Sequence, residues 1–219
     1  WQPQLDFFKD YSNLSYDILG HGKSSLKKEK ISFDDFSNQL IELLNDLKID
    51  KIHLIGFSIG SLIARNFATK FNDRLKSLIL LGSIYKRSEE QQKVVNSRFD
   101  QAKKELKLSK QALKRWFTDE YLKKNTGTYE KISSILSSNN MSNFLKVYEL
   151  FVRHKNDEDF EKIKVNTLIM TGEYDVGSTV EMSEELNKII KNSEIKIIKD
   201  GKHLCGIECA DDVNLTIKN

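Results

Sequence analysis

The stretch Gly56-Phe57-Ser58-Ile59-Gly60 is the part of this 219-residue chain that decides its fold. It follows an apolar run at 51–55 (KIHLI), which predicts a buried strand, and precedes 61–68 (SLIARNFA), which predicts a helix with an apolar face. A G-x-S-x-G pattern between a strand and a helix is typical of a nucleophile elbow, a strained turn that exposes the serine hydroxyl above the sheet edge. We expect both glycines to be required, because a side chain at either would collide with the neighbouring strand or helix. The alternative is an ordinary Gly/Ser turn that opens a helix.

A serine hydroxyl is a poor nucleophile at neutral pH and needs an adjacent base. Two histidines follow the elbow in the chain, His154 and His203. His203 follows a β-rich run at 195–198 and lies in a glycine-containing loop, so we predict that it is the base. His154 lies in a charged helical stretch and is predicted to be a solvated surface residue. His53 lies within the strand before the elbow and is predicted to be structural.

The base needs an acid that holds the imidazole in the right tautomer. A strand candidate at 165–170 (VNTLIM) leads into Thr171-Gly172-Glu173-Tyr174-Asp175. Asp175 falls just past the carboxyl end of that strand, on the edge where catalytic groups of open α/β sheets collect. We therefore predict Asp175 as the acid. Glu173 is the competing candidate, disfavoured because it lies closer to the strand, and the charge run at 157–158 is predicted to face water.

The order and context of four motifs resemble those of α/β-hydrolase fold enzymes. The motifs are 17–24 (DILGHGKS), the elbow, 172–175 (GEYD) and 201–203 (GKH). Within that superfamily, 115–118 (RWFT) and 203–208 (HLCGIE) are most similar to esterases and lactonases related to 3-oxoadipate enol-lactonase.

This resemblance implies a fold, a catalytic triad and a set of supporting roles. The implied triad is Ser58, His203 and Asp175, with the backbone N–H of Ile59 as one oxyanion donor. No metal and no organic cofactor is implied, and the family reading makes His21 structural.

The start of the chain departs from the pattern of the family that it resembles. Members of that family carry a further N-terminal stretch with the first strands and a His-Gly motif, and this stretch supplies the second oxyanion N–H. Here residues 1–8 (WQPQLDFF) resemble the helix after that loop, and residues 213–219 resemble a final helix cut short. We therefore expect the sequence to be a fragment of a longer protein.

Strand and helix patterns alternate along most of the chain. A strand is predicted at 13–16, a helix at 31–47 and another strand at 75–83. Such alternation predicts a mostly parallel sheet flanked by helices, which is an α/β fold. The core of this α/β-hydrolase fold is predicted to comprise residues 1–87 and 163–219.

Residues 88–162 break the alternation and are predicted to form an inserted helical cap. This region is rich in charged residues, and its apolar residues recur at helical intervals, which predicts about four helices. Its apolar face is expected to cover the serine and to shape the substrate pocket. Trp116, Phe117, Tyr148 and Phe151 are the candidates to line that pocket, and ordinary packing within the cap is the alternative for each.

Composition excludes several classes of partner. The chain has 35 basic and 32 acidic residues and a net charge of +3, so no nucleic-acid partner is indicated. No apolar stretch approaches the roughly 18–20 residues of a membrane span. The spacing of Cys205 and Cys209 predicts two free, buried thiols in a reducing compartment, and hence a cytoplasmic protein. Assembly into a homodimer is left open.

These features together predict a serine hydrolase that cleaves a small-molecule ester or lactone through an acyl-enzyme. A C–C bond hydrolase of ring-cleavage products and a cofactor-free perhydrolase would use the same triad and remain alternatives. A ligand-binding receptor with a vestigial triad is the alternative from another class.

Overall fold

The computed structural model describes residues 1–105 and 111–219. Its sheet consists of parallel strands in the order β1-β2-β3-β4. The strands are β1 (Ile52–Phe57), β2 (Leu75–Leu81), β3 (Thr167–Gly172) and β4 (Ser193–Ile198). The register places Phe57 beside Leu81 and Leu81 beside Met170, so the carboxyl ends of the strands meet along one edge of the sheet.

Helices occupy most of the chain between and beyond these strands. In the described residues the α-helices are α1 (Gln2–Phe7), α2 (Phe33–Asp46), α3 (Ile59–Lys70), α4 (Glu89–Glu105), α5 (Gln111–Trp116), α6 (Asp119–Lys124), α7 (Thr126–Ser137), α8 (Met141–Val152), α9 (Val180–Ile189), α10 (Cys205–Glu208) and α11 (Ala210–Lys218). The predicted α/β class with a parallel sheet is therefore confirmed.

The helices cover both faces of the sheet, which gives three layers. Side chains alternate between the faces along a strand, and β2 follows this rule. Leu78 and Leu80 lie in an apolar core shared with α2, α3 and α9. Ile79 and Leu81 lie in the opposite core, which α10 and α11 help to form. Buried aliphatic residues fill both cores. The sheet is therefore a rigid support for the loops at its carboxyl edge.

The two glycines of the elbow differ in what surrounds them. A Cβ atom added to Gly56 would lie 2.3 Å from the carbonyl oxygen of Gly60 and 2.8 Å from Cβ of Ala64, because β1 and α3 touch there. Apart from its chain neighbours and the backbone of its own helix, a Cβ atom added to Gly60 would meet no atom within 4 Å among the residues that the structure describes. The collision expected at Gly56 is confirmed, whereas the one expected at Gly60 was wrong.

This contrast makes the two glycines a matched pair for a stability measurement. We expect Gly56→Ala to lower the free energy of unfolding by about 3 kcal/mol, because β1 and α3 must separate to admit the methyl group. Gly60→Ala should be neutral or should raise it by about 0.5–1 kcal/mol, because alanine is the better helix former. Urea denaturation of both variants tests this, and equal stability of Gly56→Ala and the wild type would show that α3 moves freely against β1.

The described part of residues 88–162 is helical, with α4 to α8 inserted between β2 and β3. It contains five α-helices, so the prediction of about four was low by one; residues 106–110 lie outside the described part. Two of these helices, α4 and α8, pack against each other through Val95, Phe99 and Val152. That this region acts as a cap over the serine stays a prediction.

The predicted strand at 13–16 was wrong. This segment pairs with no strand among the described residues. Side chains satisfy its neighbouring backbone instead: Asn13 Nδ2 donates to the carbonyl oxygens of Phe8 and Tyr11, and Gln39 Nε2 donates to the carbonyl oxygen of Asp17. An apolar residue pattern indicates which side of a segment is buried. A strand also needs a neighbouring strand with which it forms backbone hydrogen bonds.

The predictions that His154 and Glu158 face solvent were also wrong. Both belong to a buried charge cluster with Arg65 of α3, whose side chain is 0% exposed, compared with 4% for His154 and 6% for Glu158. Arg65 Nη2 lies 2.7 Å from Glu158 Oε2, and His154 Nε2 lies 3.2 Å from Glu158 Oε1. Arg65 Nη1 also donates to the carbonyl oxygen of Ile84, 2.7 Å away. The cluster therefore ties α3, which begins at the elbow, to the chain just before α4 and just after α8.

Burial alone would raise the pKa of Glu158, but the hydrogen bond from His154 and the charge of Arg65 outweigh it and lower the pKa from 4.5 to about 2. Since the folded-state pKa lies below the unfolded-state value, the stabilisation is present above pH 4.5 and is lost as the pH falls from 4.5 towards 2. Acid should therefore weaken the link between α3 and the insertion.

We expect Glu158→Gln to lower the free energy of unfolding at neutral pH by about 3 kcal/mol, because it leaves the Arg65 guanidinium buried without its counter-ion. The difference from the wild type should shrink as the pH falls from 4.5 towards 2. Denaturant titrations at several pH values measure both effects. The control is Glu149→Gln, which breaks an exposed pair with Arg153 and should cost less than about 0.5 kcal/mol. A pH-independent loss in Glu158→Gln would contradict the assigned ion pair.

Among residues 1–105 and 111–219, no helix combines the length and the apolar content that crossing a membrane would require.

Candidate active site

Ser58 lies at the turn between β1 and α3, at the carboxyl edge of the sheet. Its φ angle is +53°, a conformation that residues other than glycine rarely adopt. Hydrogen bonds on both sides hold this backbone in place: the N–H of Ser58 donates to the carbonyl oxygen of Leu81 at 3.0 Å, and the N–H of Ser61 donates to the carbonyl oxygen of Ser58 at 2.9 Å. The strain expected at the elbow is thus observed, and both β2 and the first turn of α3 support it.

The structure brings Ser58 together with His203 and Asp175. His203 follows β4 and Asp175 follows β3, so both reach the same sheet edge as the elbow. His203 Nε2 lies 3.1 Å from Ser58 Oγ, and His203 Nδ1 lies 2.7 Å from Asp175 Oδ2. One imidazole therefore bridges a hydroxyl and a carboxylate, at hydrogen-bonding distance from each.

Asp175 is a buried carboxylate with both oxygens hydrogen-bonded. Its Oδ1 accepts the N–H groups of Gly177 at 2.8 Å and Ser178 at 3.0 Å, while Oδ2 faces His203. Burial alone would raise the pKa of Asp175, but the hydrogen bond from His203, its charge and the two N–H groups together hold the pKa below its ordinary value. Asp175 is consequently ionised at neutral pH, and Gly177 and Ser178 fix which oxygen it presents to the imidazole.

The competing acid, Glu173, points elsewhere. Its side chain is exposed, and Oε2 accepts the N–H of Asp200 at 3.0 Å. Two other histidines also have hydrogen-bond partners away from Ser58. His53 Nδ1 lies 2.7 Å from Ser77 Oγ, and His21 Nδ1 lies 3.4 Å from the carbonyl oxygen of Leu19. Neither has a described contact with Ser58.

The backbone N–H of Ile59, proposed from the resemblance as an oxyanion donor, opens α3. It has no hydrogen-bond partner within residues 1–105 and 111–219. The first N–H groups of a helix lack intrahelical acceptors and carry the positive end of the helix dipole. This N–H is therefore available to a negatively charged oxygen beside Ser58.

The four pocket candidates lie in two different places. The ring of Trp116 lies 6.4 Å from the ring of His203, whereas Phe117 is fully buried and stacks on Tyr121 at 5.2 Å. Tyr148 and Phe151 pack against the cluster between α4 and α8. Whether any of them touches substrate stays a prediction.

Sequence reasoning missed a second aromatic neighbour of His203. Phe57, the residue before the serine in the elbow, has its ring 4.9 Å from that of His203. It also borders a cavity of about 100 Å³ lined by Trp1, Gln4, Phe57, Leu81, Leu204, Gly206 and Ile207. The position of Phe57 within the motif could have predicted this contact. A larger cavity of about 500 Å³ near the start of α4 has none of the three proposed triad residues in its lining.

The two cysteines are free thiols, as predicted, and Cys205 is buried. Cys209 is only half-buried, so the prediction that both are buried was wrong for Cys209. Burial raises the pKa of Cys205 to about 12 and that of Cys209 to about 11, so neither is a thiolate nucleophile at neutral pH.

A strained serine at a strand–helix turn, with a histidine and an aspartate delivered by later strand ends, defines the class of α/β-hydrolases. Family comparison agrees: residues 2–208 match the family described as alpha/beta hydrolase fold, and the chain belongs to that family. The superfamily resemblance read from the sequence is therefore confirmed.

Individual relatives are similar over most of their length. The chain is 27% identical to (E)-2-((N-methylformamido)methylene)succinate hydrolase of Acinetobacter baylyi, over 98% of this chain and 82% of the relative. It is 24% identical to 3-oxoadipate enol-lactonase 2 of the same organism, over 95% and 78% respectively. The crystal structure of the enol-lactonase from Burkholderia xenovorans superimposes with a TM-score of 0.84 at 21% identity, covering 100% of this chain and 84% of that one, which shows a shared fold.

Proposed function

We propose that this protein is a serine hydrolase that cleaves a carboxylic ester or lactone of a small molecule through an acyl-enzyme. The observation that carries the proposal is the continuous hydrogen-bonded line from Ser58 Oγ through His203 to Asp175, with distances of 3.1 and 2.7 Å. Relatives named as an enol-lactonase and as a hydrolase of a succinate derivative support a small carbonyl substrate.

The first chemical step is attack of Ser58 on the substrate carbonyl. His203 Nε2 takes the proton of Ser58 Oγ as the new C–O bond forms, and the imidazolium that results is stabilised by the Asp175 carboxylate. The carbonyl oxygen becomes an oxyanion that the free N–H of Ile59 can stabilise. His203 then gives its proton to the departing alkoxide or enolate.

The second step is hydrolysis of the acyl-enzyme. Water takes the place of the leaving group and attacks the acyl carbonyl carbon while His203 accepts its proton. The tetrahedral intermediate then collapses: the bond to Ser58 Oγ breaks, His203 returns the proton to that oxygen, and the acid is released. The reaction needs only protons, water and the carbonyl compound, so no cofactor enters the proposal.

The helical segment 88–162 is proposed as the cap over this site. The position of Trp116 beside His203 supports this role. Tyr148 and Phe151, which pack between α4 and α8, would then shape the pocket by holding those helices together rather than by touching the reacting atoms. The cytoplasmic location indicated by the free thiols and the open question of a homodimer stay predictions.

The direct test is intact-mass measurement after reaction with a fluorophosphonate, on the wild type and on Ser58→Ala. A single adduct that disappears in Ser58→Ala would support an activated serine. A folded wild-type protein without an adduct would contradict it and would favour a ligand-binding protein that has retained the fold.

A substrate screen then separates the chemistries that share this triad. Turnover of esters and lactones, with acid as the product, supports the proposal. Preferential cleavage of a vinylogous diketone would identify a C–C hydrolase, and peracid formation in the presence of hydrogen peroxide would identify a perhydrolase.

A further inference from the structure

Two motifs that carried the subgroup resemblance, 115–118 and 203–208, lie far apart in the sequence but touch each other in the structure. The link is the carboxylate of Glu208, at the end of α10. Its Oε1 accepts the N–H of Thr118 at 2.8 Å and also the hydroxyl of Thr118. Its Oε2 accepts the N–H of Lys202 at 3.3 Å. One carboxylate therefore joins the junction of α5 and α6 to the residue that precedes His203.

The residue that follows His203 is held by the same segment. The N–H of Leu204 donates to the carbonyl oxygen of Trp116 at 2.9 Å. In addition, Lys202 Nζ donates to the carbonyl oxygen of Lys114 at 3.0 Å. The two chain neighbours of His203 are Lys202 and Leu204. Each is thus hydrogen-bonded to residues 114–118 or to the Glu208 carboxylate, which itself binds Thr118.

The position of His203 depends on this support because the imidazole works within narrow limits. The contact between its Nε2 and Ser58 Oγ is already 3.1 Å long, close to the upper limit of a good hydrogen bond. A displacement of about 1 Å would break the contact, and errors of that size in a catalytic group can cost about 100-fold in rate.

We propose that Glu208 is a positioning residue: by holding Lys202 against Thr118, it fixes the His203 imidazole between Ser58 and Asp175. We call this arrangement the Glu208 bridge. The proposal rests on the function proposed above for the triad. Since Trp116 is on the same segment, the bridge also fixes the position of the Trp116 ring relative to the His203 imidazole.

The variants for the test are Glu208→Ala, which removes both arms, and Glu208→Gln, which keeps one acceptor oxygen. Thr118→Val removes the hydroxyl arm and also the cap of α6, since the Thr118 hydroxyl oxygen accepts the N–H of Tyr121 at 3.2 Å. Asp211→Ala, an exposed acidic residue in the next helix, is the control. We expect Glu208→Ala to lower kcat about 10- to 100-fold with little change in KM. The rate constant of fluorophosphonate labelling should fall in parallel, because it reports activation of Ser58 without substrate binding.

The partner residues should behave as a unit. Glu208→Gln and Thr118→Val should lower kcat less than Glu208→Ala, and adding Thr118→Val to Glu208→Ala should cost little more, since the shared interaction is already lost. Asp211→Ala should match the wild type in both kcat and labelling.

An unchanged kcat in Glu208→Ala, measured well below its melting temperature, would overturn the proposal and leave the bridge a structural contact. If Glu208→Ala does not fold, unchanged kcat in both Glu208→Gln and Thr118→Val would overturn it equally. If the wild type shows no Ser58-dependent labelling, the proposed function fails, and NMR tests the bridge by itself. The Nδ1–H resonance of His203 should then move or broaden in the most perturbed folded variant, and an unchanged resonance would refute positioning.

Discussion

Ser58→Ala is expected to lower kcat for a short-chain p-nitrophenyl ester by roughly 10⁴- to 10⁶-fold, with the fold intact. The alanine removes the only atom that lies at hydrogen-bonding distance from His203 Nε2 in the described structure. What remains is the contribution of binding and of the Ile59 N–H, which can polarise a carbonyl but cannot form an acyl-enzyme. Initial rates on purified protein, with circular dichroism to establish folding, measure the effect.

The control for this variant is Ser97→Ala, at an exposed position of α4, which should retain wild-type activity. Substantial turnover by Ser58→Ala, after contamination has been excluded by active-site titration, would remove the triad assignment and require another nucleophile. Alanine, like serine, adopts a positive φ poorly. The free energy of unfolding should therefore change little, and a loss of folded protein cannot account for the lost turnover.

Asp175→Asn is the change with the second largest expected effect, a loss in kcat of about 10⁴-fold. The carboxylate now accepts the Nδ1–H of the imidazole and leaves Nε2 free to take the proton of Ser58. An asparagine NH₂ held in the same place by Gly177 and Ser178 would favour the opposite tautomer, in which Nε2 carries the proton and cannot act as a base.

Glu173→Gln provides the matched comparison, because it makes the same chemical change two residues away on an exposed side chain. Its one described bond is to the N–H of Asp200, which an amide oxygen can also accept, so kcat should change little. If Glu173→Gln were the severe variant and Asp175→Asn the mild one, the acid would have to be reassigned to Glu173.

The sequence was sufficient to predict those parts of the site that depend on local structure. Ser58 was predictable because a strand, a tight turn and a helix each leave a signal within a few residues. His203 and Asp175 were predictable because parallel strands deliver their following loops to one edge, so chain order alone brings the two side chains towards the serine.

The errors arose where a residue's environment is set by distant parts of the chain. His154 and Glu158 were predicted to face water because their neighbours in sequence are charged, but their partner Arg65 lies 93 positions before Glu158 and is enclosed by the core. The Glu208 bridge also joins residues that are distant in the sequence, since Thr118 and Glu208 are 90 positions apart. Gly60 was an error of the opposite kind. The motif predicts that a side chain there would collide with a neighbour, yet the surroundings of Gly60 would admit one.

The positive φ of Ser58 has a consequence for engineering. The backbone at the elbow would be most relaxed with glycine, so the residue that the proposed chemistry requires is one that the turn itself disfavours. A directed-evolution campaign that selected only for heat resistance would tend to lose the proposed nucleophile, since its replacement by glycine relieves strain. Any thermostability screen of this protein should therefore retain a turnover readout in every round.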